Sequence, residues 1–128
     1  MSWQHVYGMP ATVTLERWED SATAVVTVRG EVDLRVHDQL REVLINEVDR
    51  GWNLVIDFSQ VDLLDSAGFG VLVGVLKRAR ERDERLGLGP TRLVLVVDTP
   101  EVRRTLEIVG LDRVFTITDR LEDAESLI

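Results

Sequence analysis

The chain is predicted to pass from a loop into a helix at the sequence Val61-Asp62-Leu63-Leu64-Asp65-Ser66-Ala67-Gly68-Phe69-Gly70-Val71. Aspartate and serine at such a point accept hydrogen bonds from backbone N–H groups that the first helical turn leaves free. The same N–H groups and the positive end of the helix dipole also hold a phosphate. Ser66 is therefore predicted to cap the helix and to accept a phosphate, with an unmodified capping serine as the alternative.

Local propensity is divided over residues 67–76, which are nearly all apolar. Three valines at alternate positions favour a strand: Val71, Val73 and Val75. We predict a helix because Asp65-Ser66 precedes the segment and cations gather at its far end, where the helix dipole favours them. Those cations are Lys77, Arg78, Arg80 and Arg82. Gly70 and Gly74, one turn apart, are expected to let this helix approach a sheet closely.

The N-terminal half predicts a hairpin followed by a helix. Residues 1–10 form a tail or a short edge strand, and a polar turn separates the predicted strands 11–18 and 23–28. Asp33 is a candidate cap for the next helix, and Gly51 lies just beyond its end. Its apolar residues recur at helical spacing: Val36, Leu40, Val43, Leu44 and Val48.

The C-terminal half alternates strands and helices. Strands are predicted at 53–58, 92–97 and 114–117, with a loop at 85–91 and a terminal helix at 119–128. Thr99 is a candidate cap for a helix that has Pro100 at its first position and Gly110 past its last. The order β-β-α-β-α-β-α-β-α implies right-handed crossovers and a mostly parallel sheet.

Composition limits the function classes. A chain of 128 residues with 45% hydrophobic content suits one domain. Its net charge of −8 argues against nucleic acid or anionic lipid as the main partner. The absence of cysteine excludes disulfides, thiolate zinc sites and a cysteine nucleophile, and fits the cytoplasm. No leader and no run of about 20 apolar residues is present, so we expect a protein outside the membrane.

The chain resembles a STAS domain of the anti-sigma factor antagonist type. The resemblance runs from about residue 11 to the C-terminus, which divides the chain into 1–10 and a domain at 11–128. It rests on Gly30-Glu31-Val32-Asp33, Val55-Ile56-Asp57-Phe58, residues 61–64, Asp65-Ser66-Ala67-Gly68-Phe69-Gly70, residues 71–77 and Val109-Gly110-Leu111. It implies a SpoIIAA-like α/β fold, with a mixed, mostly parallel sheet, an N-terminal β-hairpin and about four α-helices.

The resemblance also implies a partner switch in transcription regulation and stress response. An anti-sigma factor that is itself a serine kinase phosphorylates the residue matching Ser66. The unphosphorylated antagonist binds that kinase and frees a sigma factor; phosphorylation ends the binding and a phosphatase restores it. ATP and Mg²⁺ belong to the kinase, so this chain is expected to hold no cofactor or metal and to catalyse nothing. The implied partner-binding residues are Asp33, Asp65, Ser66, Ala67, Gly68, Phe69 and Gly70.

Several other interpretations stay open or are disfavoured. A STAS subunit of a transporter ATPase or signalling assembly, without a phospho-switch, is the alternative function. A serine hydrolase is disfavoured because only Gly68 of the G-x-S-x-G elbow is present, and its histidine would be His5 or His37. Phe69 is either an exposed interface anchor or a core residue. The charged run 78–85 is interpreted as a solvated helix end without an assigned function.

Overall fold

The computed structural model describes residues 2–5, 13–30, 34–61 and 64–128. Within these residues, six strands form one sheet in chain order. They are β1 (Ser2–His5), β2 (Val13–Trp18), β3 (Thr23–Arg29), β4 (Asn53–Gln60), β5 (Leu93–Val96) and β6 (Thr116–Thr118). The pairs β1–β2 and β2–β3 are antiparallel, and the pairs from β3 to β6 are parallel.

Four α-helices cover the sheet in the described part of the chain: α1 (Leu34–Asp49), α2 (Ser66–Leu86), α3 (Pro100–Ile108) and α4 (Leu121–Ala124). The larger core lies between one face of the sheet and residues of α1, α2 and α3. The smaller core includes Val25, Val55 and Val94, and α4 covers it with Ala124. Successive residues of the central strands alternate between the two cores, which is why these strands are continuous apolar runs.

This architecture confirms the predicted mixed α/β sheet with an N-terminal hairpin. All five apolar residues that predicted α1 are buried. The hairpin turn is a 3₁₀ helix at Glu19–Ser21, closed by Ala22 with a φ of 50°. The start of the first predicted strand, residues 11–12, lies outside the described residues, as does Asp33. The division of the chain at residue 10 stays a prediction.

Several predicted boundaries in the C-terminal half are wrong. Helix α2 continues to Leu86, past the predicted start of the loop, because Gly87 supplies the left-handed C-cap with a φ of 64°. The last strand begins later than predicted, at Thr116, since a 3₁₀ helix at Leu111–Arg113 comes first. The terminal helix is reduced to α4 and a 3₁₀ turn at Glu125–Leu127. Thr99 does occupy the N-cap of α3, but its side chain makes no capping hydrogen bond.

Helices α1 and α2 are joined at their surface by an ion pair. Arg78 donates to both carboxylate oxygens of Asp49, at 2.8 and 2.9 Å. The hydrogen bond from Arg78 lowers the pKa of the Asp49 carboxyl below its usual value. Because the folded-state pKa is lowered, the pair's contribution is present above the usual carboxyl range and is lost as the pH falls through the folded pKa.

The charged run 78–85 is therefore more than a solvated helix end. Besides the pairing of Arg78, Asp83 is buried and accepts from the backbone N–H and the hydroxyl of Thr91, at 2.8 and 2.7 Å. These bonds hold the loop that follows α2 and leads into β5. The helix end is part of the tertiary structure, which the alternation of charges did not show.

A second ion pair ties α1 to the sheet. The side chain of Glu47 is only 3% exposed and accepts from Arg17 of β2 at 2.9 and 3.2 Å. The guanidinium of Arg17 also lies 5.5 Å from the ring centroid of Trp52. Arg17 is the nearer of the two cations at this buried carboxylate, since Nε of Arg50 lies 3.7 Å away. A charge removed from water is costly without a close partner.

We predict that Arg17→Met lowers the free energy of unfolding by about 3 kcal/mol, since it leaves Glu47 buried without its main partner while retaining an apolar stem. Urea denaturation at neutral pH measures this change. Arg41→Met is the matched control, because Arg41 and its partner Asp38 are both exposed and 3.6 Å apart; it should change stability by less than about 0.5 kcal/mol. Equal effects of the two substitutions would contradict the prediction.

Candidate functional site

The start of α2 is fixed by Asp65. Its backbone is extended, and its carboxylate Oδ1 accepts from the backbone N–H of Gly68 at 2.9 Å. The backbone N–H of Phe69 donates to the Asp65 carbonyl at 3.1 Å. Asp65 is therefore the N-cap and Ser66 the first helical residue, so the prediction that Ser66 caps the helix is wrong.

Ser66 presents a free hydroxyl on the surface. The residue is exposed, as are its neighbours Asp65 and Ala67. Within the described part of the chain, its hydroxyl makes no hydrogen bond. It stands beside the N–H groups at the positive end of a 21-residue helix. The helix N-terminus would favour a phosphate on this exposed oxygen, and the phosphate would displace no core side chain.

Gly68 is the glycine in this block that close packing requires. It is buried, and a Cβ atom added there would collide with the Cδ1 methyl of Leu64, itself a buried residue. Any larger residue at position 68 would displace the side chain that anchors the loop before α2. Of the predicted site residues, Gly68 thus shapes the turn and does not face outward.

Gly70 and Gly74 do not bring the helix close to the sheet, contrary to the prediction. Apart from the helix's own backbone and the adjacent residues, no atom of the described residues lies within 4 Å of a Cβ built on either glycine, and Gly70 is exposed. The buried face of α2 instead includes Val71, Leu72 and Val75. Ser66, Gly70 and Val73 share the outer face by their spacing of four and three residues. Val73 is 50% exposed, so this face has an apolar side chain beside bare backbone.

Phe69 is partly buried and packs against the larger core. Of the two interpretations left open for it, core packing is the one that the structure supports. Asp33, the remaining predicted site residue, lies outside the described residues. The structure therefore brings Asp65, Ser66, Ala67 and Gly70 together at one accessible helix end, supported from beneath by Gly68 and Phe69.

His37 is a site residue that the sequence reasoning did not place here. It lies on the buried side of α1, and its Nε2 is 3.3 Å from Oδ1 of Asp65. The contact lacks hydrogen-bond geometry, and in the described structure both imidazole nitrogens are buried without a hydrogen-bond partner. The signal was its spacing: His37 precedes Leu40 and Leu44 by three and seven residues, which puts it on the apolar stripe of the helix.

This arrangement does not form a catalytic triad. In a triad one imidazole nitrogen accepts from the serine while the other donates to the aspartate. Here neither nitrogen of His37 is hydrogen-bonded to Ser66 in the residues described, and the Asp65 carboxylate is engaged by the Gly68 N–H. What the site offers is an accessible hydroxyl on a rigid helix start, which suits recognition and modification.

Two further features concern ligands and membranes. Across the described ranges, no group of three or more histidine, cysteine, aspartate or glutamate side chains could hold a metal ion. In the same ranges, none of the helices is both long enough and apolar enough to cross a bilayer.

A family model, curated relatives and solved structures all point to the same protein family. The model of the STAS domain family matches residues 15–124. The anti-sigma-F factor antagonist RsfB of Mycobacterium tuberculosis is 29% identical over 116 residues, covering 90% of this chain and 88% of RsfB. An anti-sigma-B factor antagonist of Listeria monocytogenes is 33% identical over 93 residues, covering 72% of this chain and 75% of that protein. The crystal structure of an anti-sigma factor antagonist from Mycobacterium paratuberculosis is similar with a TM-score of 0.73 at 29% identity, covering 90% of this chain and 91% of that one.

We predict that Asp65→Ala lowers the free energy of unfolding by about 1 kcal/mol, the usual cost of losing an N-cap side chain. Urea denaturation provides the measurement. Ser66→Ala is the control, because the Ser66 hydroxyl caps nothing; it should stay within about 0.5 kcal/mol of wild type. A larger loss in Ser66→Ala than in Asp65→Ala would show that Ser66 is the cap after all.

Proposed function

The chain belongs to the STAS domain family, and we propose that it is an anti-sigma factor antagonist controlled by phosphorylation of Ser66. Its unphosphorylated form binds an anti-sigma factor serine kinase and thereby frees a sigma factor. Phosphorylation ends the binding, and a phosphatase restores it. The observation that carries this proposal is the exposed, unbonded hydroxyl of Ser66 at the first position of α2. The names of the similar proteins support the antagonist role.

The proposed modification adds charge without loosening the fold. A phosphoserine carries about −1.5 to −2 charges. Inside the protein, the N-terminus of α2 partly compensates this charge, although the neighbouring Asp65 carboxylate, 54% exposed, repels it. A bound partner meets the new charge directly. A like charge at about 4 Å costs roughly 1 to 4 kcal/mol, which corresponds to about a five- to several-hundred-fold loss of affinity.

The outer face of α2 is suited to close contact with a protein. Gly70 exposes backbone with no side chain above it, and Val73 offers half of its apolar surface beside it. Each glycine in a helix interior lowers helix propensity by about 1 kcal/mol, and no packing contact in the described part of the chain requires one at position 70. Close approach of a partner's backbone to this face would explain why position 70 is a glycine, because any side chain there would keep the two backbones apart.

We predict that wild-type protein and Ser66→Ala bind the kinase with similar affinity, while Ser66→Asp binds at least about fivefold more weakly, because it places a charge where the partner docks. Pull-down from native-host lysate with mass spectrometry identifies the kinase, and calorimetry then gives the affinities. Ser126→Asp is the matched control: it adds the same charge to an exposed serine in the C-terminal segment, which covers the other face of the sheet.

Three outcomes would contradict the proposed switch. Equal affinity of wild type, Ser66→Ala and Ser66→Asp for the kinase would show that a charge at this helix end does not affect binding. Retention of the same transporter ATPase or signalling assembly by both wild type and Ser66→Asp would support the alternative STAS function, in which Ser66 is not modified. A loss of binding in Ser126→Asp equal to that in Ser66→Asp would show a general charge effect instead.

We predict opposite effects of Gly70→Ala on stability and on binding. The added methyl group meets no packing neighbour among the residues that the structure describes, so the free energy of unfolding should rise by about 1 kcal/mol. The same methyl would crowd the docked partner, and affinity should fall by about tenfold. Gly74→Ala is the control, two turns from Ser66, with the same gain in stability and less effect on binding. Unchanged affinity in a stabilised Gly70→Ala would contradict the proposed contact.

A further inference from the structure

We infer that His37 is a positioning residue: from the buried face of α1 it holds the Asp65 carboxylate in place as the cap of α2, and the held cap fixes the position of Ser66 as a phosphoryl acceptor. The second part of this inference rests on the proposed function of Ser66. The first part concerns the free protein alone and is testable without any partner.

His37 and the first turn of α2 both contact the same oxygen atom of Asp65. Oδ1 of Asp65 accepts from the Gly68 N–H at 2.9 Å and lies 3.3 Å from Nε2 of His37. The second distance is within hydrogen-bonding range but the angle is not, so the imidazole or the carboxylate has to rotate before a ring N–H points at the oxygen. The imidazole thus limits where the capping carboxylate can go.

Burial makes a purely structural role for this histidine unfavourable. Its side chain is 4% exposed, and both ring nitrogens lack a hydrogen-bond partner among the described residues. A buried polar group without a partner is destabilising, whereas an apolar residue of similar size on the stripe with Leu40 and Leu44 would not be. Asp65 is the acidic residue that the described structure places within ion-pair distance of this ring.

The position of Asp65 controls that of Ser66, because the two are consecutive and the cap decides where the helix begins. With the carboxylate held, Ser66 is fixed in the first helical turn. With it released, the turn frays and the fraction of molecules competent to react falls. In the transfer, the bond from Ser66 Oγ to the γ-phosphorus of ATP forms as the bond from that phosphorus to the ADP oxygen breaks. The kinase takes the hydroxyl proton. Such a reaction depends on alignment of the acceptor oxygen.

The test compares His37→Leu with His37→Gln, whose side-chain amide retains an N–H donor at this position. Amide hydrogen exchange, followed by NMR on the free full-length chain, is read at Gly68, with Leu72 of the same helix as the internal control. We expect Gly68 to exchange about tenfold faster in His37→Leu and within about threefold of wild type in His37→Gln. Leu72 should be unchanged in both. Equal acceleration at Gly68 and Leu72, or no change at Gly68, would overturn the positioning role.

A second measurement separates this inference from the proposed function. The kinase captured by wild-type protein is used to phosphorylate Ser66 in all three forms. We expect kcat to fall about three- to tenfold in His37→Leu with KM within about twofold, and His37→Gln to recover most of the rate. Unchanged kcat in His37→Leu, despite faster Gly68 exchange, would overturn the link to Ser66. Absence of phosphorylation in wild type would overturn the proposed function, while the exchange data still decide the role of His37 toward Asp65.

Discussion

The hydrogen bond from the Gly68 N–H to the Asp65 carboxylate fixes the register of α2, and the accessible surface of the protein follows from that register. A helix that began one residue later would be rotated by about 100° relative to the chain entering it. Val71, Leu72 and Val75 would then leave the core. Leu64 strengthens the constraint from below, since its side chain occupies the space that a Cβ at position 68 would need. The capping hydrogen bond and the packing of Leu64 therefore both fix the start of α2 at the same residue.

The rest of the fold holds this helix start in place from two sides. Strand β4 enters the core with apolar residues on both faces and ends in the loop that leads to Asp65. Helix α1 is held to β2 by the Arg17–Glu47 pair and to α2 by the Arg78–Asp49 pair. Because α1 carries His37, these contacts also set the distance between the imidazole and the cap. The N-terminus of α2 thus lies beyond the end of a parallel strand, where α/β folds generally place their sites.

The sequence was sufficient to predict an element where its apolar residues follow a regular pattern. The spacing of the α1 apolar residues and the apolar run of β4 led to the right elements because burial on one or both faces imposes those patterns. It was insufficient where the role of a residue depends on contacts between particular atoms. Asp65 and Ser66 both favour helix caps, and only the reach of Oδ1 to Gly68 decides between them. Gly68, Gly70 and Gly74 look alike in sequence, yet only Gly68 has a neighbour against it.

His37 and Gly70 are each less favourable for local stability than an ordinary residue would be, and for different reasons. A buried imidazole without hydrogen bonds is costly where leucine would fit, and a glycine on an exposed helix face lowers helix propensity where alanine would fit. His37 contacts the cap of α2 from the buried side, and Gly70 lies on the exposed side of the first turns of the same helix. Two residues that lower stability at the same place indicate a function there, because selection for stability alone would not keep them. The exposed Ser66 belongs to the same first turn of α2.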